Sequence, residues 1–401
     1  LYTPEQWAPR RAEYCRLVSK PPNAAQALEQ SKEELHAALQ ELEKTLAGAA
    51  PDDTGMVRLD EDEHLVVPPL SAEDVPAEAE ALKDELAAML PFAPSGTHQG
   101  LRRSGIVDKD SVLPFPRGTN LLDIVRTGYI PDGEAALPLA EVRLLPPIEP
   151  PSVRDFVAFE EHVEGVRRSV NGTAGVPDAW YDAPAFYFAN PHAMIGAHDD
   201  VPVPPGCHAL DFELEVAAVI GREGRDLSPE QARDHIFGYT IFNDWSVRDL
   251  QSREMQVGLG PAKGKDAATT LGPWLVTADK LEPYRTTDGF LRLALTAEIN
   301  GVEVGRDLLS NMAWPFEELI AYASRGALIR PGDVLGSGTC GNGGCLAELW
   351  GLHGTQNPPA LKPGDTVTLT VEGIGTVSNT IVPGTAPLPI PPARKRPRDR
   401  P

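Results

Sequence analysis

Apolar positions recur with a helical period near the N-terminus and with a strand period through most of the remaining chain. Leu28, Leu35, Leu39, Leu42 and Leu46 stand three, four and seven apart, with Glu33, Glu34, Glu41 and Lys44 between them, which predicts an amphipathic helix. A second helix is expected over about 72–90. Ser71 and Asp74 form a variant capping box there, and Leu82, Leu86 and Leu90 line one face. Residues 91–120 have no period and many breakers, which predicts a linker. A short β-rich piece follows, its apolar run Val142 to Leu145 ending at Pro146-Pro147. Beyond Pro151, runs rich in Val, Leu and Ile are punctuated by Gly and Pro turns. Residues 332–335 and 364–371 are the plainest strands, the second close to strict alternation.

Alternation is strictest in Leu210-Asp211-Phe212-Glu213-Leu214-Glu215-Val216. Successive strand side chains point to opposite faces, so the four apolar residues are expected in the core, with Asp211, Glu213 and Glu215 together on the other face. Glu213 and Glu215, about 7 Å apart at Cβ, can turn their carboxylates toward one point. Two readings stay open: a divalent cation relieves their repulsion there, with oxygen-only ligation suiting Mg2+, Ca2+ or Mn2+, or the strand is ordinary and its acidic face is in water. In Phe242-Asn243-Asp244-Trp245-Ser246-Val247-Arg248-Asp249-Leu250-Gln251, Asp244 is a good N-cap. A helix opening there would align Asp244, Arg248 and Gln251, as a functional face or as an exposed i,i+4 pair.

The chain has 401 residues, 36 Lys+Arg against 58 Asp+Glu and a net charge of −22, which argues against a nucleic-acid surface on its bulk. Residues 1–95 hold 8 basic and 19 acidic residues, a net of −11, and form a separate compositional unit. The 40 prolines and 36 glycines favour short elements joined by many turns. Cys15, Cys207, Cys340 and Cys345 include no CxxC pair, so reduced thiols in a cytoplasmic protein are expected. No apolar run is long enough to span a membrane, and Leu1-Tyr2-Thr3-Pro4-Glu5 does not begin a signal peptide and reads as the start of a fragment. Two glycine-rich loops remain. Residues 258–266 carry Lys263 and Lys265, either close to a ligand or as a plain surface loop. Residues 336–345 precede an expected strand, and Cys340 and Cys345 have no evident activating partner.

Taken in order and spacing, these segments resemble the fumarylacetoacetate hydrolase family over roughly residues 150–383. The resemblance implies an α+β, mainly β fold, a mixed β-sandwich or β-roll of that family's type preceded by a small helical segment. It implies metal ligands Asp155, Glu213, Glu215 and Asp244; a general base His162, seven residues after Asp155 and oriented by Glu348; and charge-stabilising Arg248, Gln251 and Lys265. Tyr187 and Thr339 match substrate contacts. The implied activity is hydrolysis of a carbon–carbon bond in a β-diketo acid with Mg2+ (or Ca2+ or Mn2+), by a homodimer that takes up a small oxo or diketo acid, with neither nucleic acid nor membrane as partner. Decarboxylation, isomerisation or hydration of 2-oxo acids on the same fold is the alternative, and a non-catalytic fusion or interaction protein a further one. Val157 stands where the founding hydrolase has a binding Tyr, Met255-Gln256 falls near its other, and no residue matches its distal-carboxylate Arg. Segments Trp7–Arg16 and Leu65–Leu82 resemble a piece of large replicative-transposon transposases. The expected organisation is an acidic helical segment (1–95), a linker with a truncated N-terminal β piece (96–150), the metal-dependent catalytic domain (151–383) and a Pro- and Arg-rich tail (384–401), disordered by composition.

Overall fold

The computed structural model describes residues 102–394 apart from Asn171 and Thr355. The two helices expected before residue 95, the transposase-like segments and the basic end of the tail lie outside the described residues. A small three-stranded sheet comes first, β1 (Gly105–Asp108), β2 (Ser111–Pro114) and β3 (Leu137–Pro138), with α1 (Leu121–Thr127) between its second and third strands. Asn120 caps α1 by accepting from the Leu122 amide at 3.0 Å, and Gly128, at φ 68°, ends it. The stretch expected as linker therefore contains paired strands, while Val142 to Leu145 forms none.

The main body then runs through β4 (Val153–Phe156), α2 (Glu160–Val170), α3 (Asp178–Asp182), β5 (Phe186–Ala189), β6 (Met194–Ile195), β7 (Val201–Pro202), β8 (Leu210–Asp211) and β9 (Leu214–Ile220). It continues with α4 (Pro229–Arg233), β10 (Ile236–Asp244), β11 (Ser246–Val247), α5 (Arg248–Gln256), β12 (Thr269–Thr277) and α6 (Ala278–Leu281). The last elements are β13 (Ala294–Ile299), β14 (Val302–Leu308), α7 (Phe316–Ala323), β15 (Val334–Gly336), α8 (Leu346–His353), β16 (Thr366–Val371) and β17 (Gly375–Val382). Seven strands form a mixed sheet in the order β5-β4-β15-β9-β10-β12-β6, and five form a second in the order β14-β13-β16-β17-β7. This is the mainly β, α+β architecture that the family resemblance implies.

The apolar residues explain why the sheets stack. Leu214, Val216, Ala218 and Ile220 of β9 point into a core shared with Leu295, Ala297, Leu369 and Val377 of the second sheet. Ala217 and Val219, on the opposite face of β9, join Val153, Ala189, Phe242, Leu271 and Val334 in a second apolar cluster, which Val125 and Ile148 of the preceding segment help to cover. Strand β9, in the middle of the seven-stranded sheet, is thus buried on both faces. Residues 383–394 carry no helix or strand and are exposed, and no helix among the described residues is long and apolar enough to cross a membrane.

Candidate metal centre

The second apolar cluster turns acidic along its strands. Two residues after Val153 on β4 comes Asp155; two after Phe242 on β10 comes Asp244; two before Ala217 on β9 comes Glu215; and two before Ala189 on β5 comes Tyr187. A period of two keeps each pair on one face. Register then aligns them, with Asp155 opposite Tyr187, Glu215 opposite Phe242, and Gly336 of β15 opposite both Asp155 and Ala217. Four strands distant in sequence thereby deliver polar groups to one end of a dry face.

Gly336 makes the room. A Cβ at that position would lie 2.4 Å from Asp155 Oδ1 and 3.0 Å from Glu215 Oε2. Gly336→Ala is expected to push these carboxylates apart and weaken divalent-metal affinity about 10–100-fold, with a stability cost of about 1–3 kcal/mol. Metal titration beside thermal unfolding of the variant checks this.

Asp155, Glu213 and Glu215 each place one oxygen within 4.8 Å of the others, and all three residues are buried. The alternative of a strand with its acidic face in water is overturned, since every residue from Leu210 to Ile220 is buried. The run is also not one strand: the ladder breaks at Phe212 and Glu213, where the Glu213 amide donates to Asn243 Oδ1 at 2.9 Å. Asp211 leaves the acidic face altogether. Its carboxylate accepts from Arg248 Nε at 2.8 Å and from the Leu346 and Ala347 amides, at 2.7 and 3.0 Å, that open α8.

The expected helix start at Asp244 is also corrected. Asp244 ends β10, and α5 begins only at Arg248. The functional side chains still meet: Arg248 Nη2 lies 2.6 Å from Glu213 Oε1, Arg248 Nη1 donates to Gln251 Oε1 at 3.0 Å, and Lys265 Nζ is 2.9 Å from Asp244 Oδ2 and in contact with Glu213. The outer part of the lysine loop is exposed, but Gly264 presses on the backbone of Gln251, where a Cβ would come within 2.8 Å, and this carries Lys265 inward. Tyr187 donates to Asp155 Oδ2 at 2.8 Å and touches Asp244, while Thr339 Oγ1 donates to Glu215 Oε1 at 3.2 Å. Both expected substrate contacts are therefore bonded to carboxylates.

His162, on α2, has Nε2 3.9 Å from Glu213 Oε1 and Nδ1 3.6 Å from Cys345 Sγ. Glu348 does not orient it: one Glu348 oxygen accepts from the Gly343 amide at 3.1 Å and the other, buried, has no partner. The glycine-rich loop leads into α8 rather than a strand, and Cys345 caps that helix, its sulfur accepting from the Glu348 amide at 3.4 Å. Cys345 is thus part of the site, which its sequence surroundings did not signal; the roles of Asp211 and Gly336 were equally hidden, although both lie in the segments singled out.

Five buried carboxylates (Asp155, Asp211, Glu213, Glu215, Asp244) face two buried cations, Arg248 and Lys265. Burial, then the neighbouring Asp244, pushes the Asp155 carboxyl up to about 7, and Glu215 rises well above the usual range for the same reason and the charge of Asp155. Burial would raise Glu213 too, but Lys265 and then Arg248 outweigh it and hold it low. Burial lowers His162 to about 4, leaving a neutral imidazole at neutral pH, and raises Glu348 to about 7. A carboxyl raised in the folded state destabilises it above its folded pKa, and that burden lifts as pH falls through about 7; His162 acts oppositely between 6.5 and about 4, where the unfolded imidazole charges first. The metal-free protein is therefore expected to melt higher as pH drops from 8 to 6.5, and Mg2+ to flatten that rise. Thermal scans in chelator and in Mg2+ test both.

Residues 152–382 match the model of the fumarylacetoacetate (FAA) hydrolase C-terminal family. A fumarylacetoacetase of Arabidopsis thaliana is 30% identical over 306 residues, covering 61% of this chain and 72% of that protein. An oxaloacetate tautomerase of Bacillus subtilis is 31% identical over 249 residues, covering 61% and 74%. Among solved structures, a fumarylacetoacetate hydrolase from Exiguobacterium antarcticum superposes with a TM-score of 0.55 at 26% identity, over 70% of this chain and 95% of that one.

Proposed function

Because the chain belongs to the fumarylacetoacetate hydrolase family, we propose that it is a metal-dependent hydrolase that cleaves a carbon–carbon bond in a β-diketo acid of the fumarylacetoacetate or acylpyruvate type. The observation that carries this reading is the convergence of Asp155, Glu213 and Glu215 beside a neutral His162. The donor set fits a hard divalent cation. It is all oxygen, and Asp155 Oδ1 and Asp244 Oδ1 are buried with no hydrogen-bond partner. Asp155, Glu213, Glu215 and Asp244 would hold Mg2+, Ca2+ or Mn2+, which when bound supplies Lewis acidity to the substrate's chelating oxygens.

The remaining steps belong to side chains of this chain. With Nδ1 of His162 turned to Cys345, Nε2 is the atom that accepts a proton from water, and the imidazolium formed lies against Glu213, which stays ionised. Hydroxide adds to the substrate carbonyl. Arg248, Gln251 and Lys265 would donate to the oxygen on which negative charge grows, and their burial makes each donor stronger than in water. When the carbon–carbon bond breaks, its electron pair leaves with the enolate and the proton on Nε2 goes to that carbon, giving an acid and a ketone or second acid. The reading includes a homodimer working in the cytoplasm on a small oxo or diketo acid.

One observation favours a second reading. Glu348 makes no hydrogen bond to His162, so the base lacks the carboxylate partner expected of a water-activating histidine. Keto–enol tautomerisation of a 2-oxo acid moves one proton between carbon and the enol oxygen and needs no attacking water, so a single group that takes the proton from one atom and returns it to the other suffices. A panel of acylpyruvates, fumarylacetoacetate and enol-oxaloacetate, assayed with and without Mg2+, separates the two. Hydrolysis consumes the diketo-enol absorbance and yields two carboxylic acids, or an acid and a ketone. Loss of enol absorbance without a cleavage product identifies tautomerisation, and no metal-dependent change with any substrate refutes both.

A further inference from the structure

A second group of ligand-bearing side chains lies beside the oxygen cluster and differs from it in kind. Helices α2 and α8 approach closely because both carry glycine at the crossing: a Cβ on Gly165 would lie 2.5 Å from Glu348 Cγ, and one on Gly351 would lie 2.2 Å from the Gly165 carbonyl oxygen. This closeness brings His162 of α2 against Cys345 at the head of α8, with Nδ1 and Sγ 3.6 Å apart. One ring nitrogen of His162, the Cys345 sulfur and one oxygen of Glu213 all lie within 4.8 Å of one another, and all three residues are buried.

We propose that His162, Cys345 and Glu213 form a second metal site, selective for a thiophilic divalent ion such as Zn2+, which shares Glu213 with the oxygen site and turns the enzyme off. Ligand chemistry sets the selectivity: thiolate with imidazole favours Zn2+ over Mg2+, whereas the oxygen trio suits the hard ions. Geometry agrees. Tetrahedral zinc with a bond of about 2.3 Å to sulfur and about 2.0 Å to nitrogen holds those atoms about 3.5 Å apart, close to the separation present before any ion arrives. The charge balance also has room: with a divalent ion on the oxygen site, five buried carboxylates against two cations leave one negative charge, which together with the Cys345 thiolate balances a second divalent ion. Binding exchanges the ion for the thiol proton of Cys345, which leaves to solvent.

The consequence rests on reading His162 as the site's proton acceptor. An ion on its ring, joined to Glu213, blocks the proton transfer and ties up a carboxylate that the oxygen site also uses. Hard ions then activate and thiophilic ions inhibit, through adjacent ligands.

Co2+ titrated into the 401-residue chain already saturated with Mg2+ tests the site without substrate. The near-ultraviolet sulfur-to-cobalt charge-transfer band is expected to grow to one equivalent in the wild type and to be missing in Cys345→Ala, with Mg2+ titration heats alike in both. Where turnover is measurable, Zn2+ at excess Mg2+ is expected to lower it about 100-fold, the scale of a lost general base, and to lower the residual rate of Cys345→Ala by less than about twofold. No band in the wild type, which needs no variant to be seen, overturns the proposal. So does a band that survives in Cys345→Ala, or equal Zn2+ inhibition of the two proteins, which would put zinc on the carboxylates. Because the band is read without substrate, a chain that turns over nothing in the panel but shows it separates failure of the proposed function from failure of this site.

Discussion

Glu213→Gln is expected to lose metal-dependent turnover by more than about 10³-fold, equivalent to about 4 kcal/mol of transition-state stabilisation. Glu213 stands where the cation, histidine and carboxylate contacts of the site cross. Its carboxylate meets Arg248 and Lys265, lies 3.9 Å from His162 Nε2 and contributes an oxygen to the trio with Asp155 and Glu215. Glutamine keeps the shape but removes the charge. The variant then offers a divalent ion one fewer anionic oxygen, leaves the two cations with less to balance them, and no longer stabilises an imidazolium. Two measurements separate this from unfolding: circular dichroism of the variant, expected to be native-like, and Mg2+ titration, expected to show greatly weakened binding. Unchanged activity would sink the assignment of this carboxylate.

His162→Asn is the second large effect, and a more selective one. Removal of a general base costs about 10²–10⁴-fold in kcat, while the oxygen cluster stays intact and Mg2+ affinity should hold within a few-fold. The pH profile supplies an independent signature. Burial lowers His162 to about 4, so at saturating Mg2+ the wild-type kcat/KM is expected to persist well below the usual histidine range and to fall only as pH approaches that value, where the base becomes protonated. The residual rate of the asparagine variant should lack that acidic limb. An acidic limb near pH 6.5 in the wild type would instead mean a solvated imidazole, unlike the buried ring at the Glu213 carboxylate.

Local pattern made one part of this centre legible and hid the rest. Alternation through residues 210–216 placed Glu213 and Glu215 together because a period of two is a local property. That both faces of the strand are buried was not visible, since the residues that cover its second face, Val125 and Ile148 among them, come from the segment that precedes the sheet. Asp155, Tyr187 and Asp244 reach the site through inter-strand register; only the family resemblance pointed to Asp155 and Tyr187, while Asp244 was also marked by its own segment, as a helix cap. Asp244 misled because its side chain suits a helix N-cap as well as the end of a strand; pairing of β10 with β9 and β12 decided the matter through tertiary context. Leu346-Ala347-Glu348-Leu349 is a short apolar run whose periodicity fits either element, and Asp211, binding the first amides of α8 from more than a hundred residues away, favours the helix. That helix sets Glu348 toward Gly343 and Cys345 toward His162, the opposite of the pairing expected from sequence.

The central claim is that Asp155, Glu213 and Glu215 together bind a divalent cation, and calorimetric titration of metal-free protein with Mg2+ or Mn2+ tests it most directly. Wild-type protein is expected to take up one hard ion per chain, releasing protons near pH 7 as the raised Asp155 and Glu215 carboxyls ionise, with binding lost in Glu215→Gln. Absence of binding in the wild type, or binding unchanged in Glu215→Gln, would contradict the account.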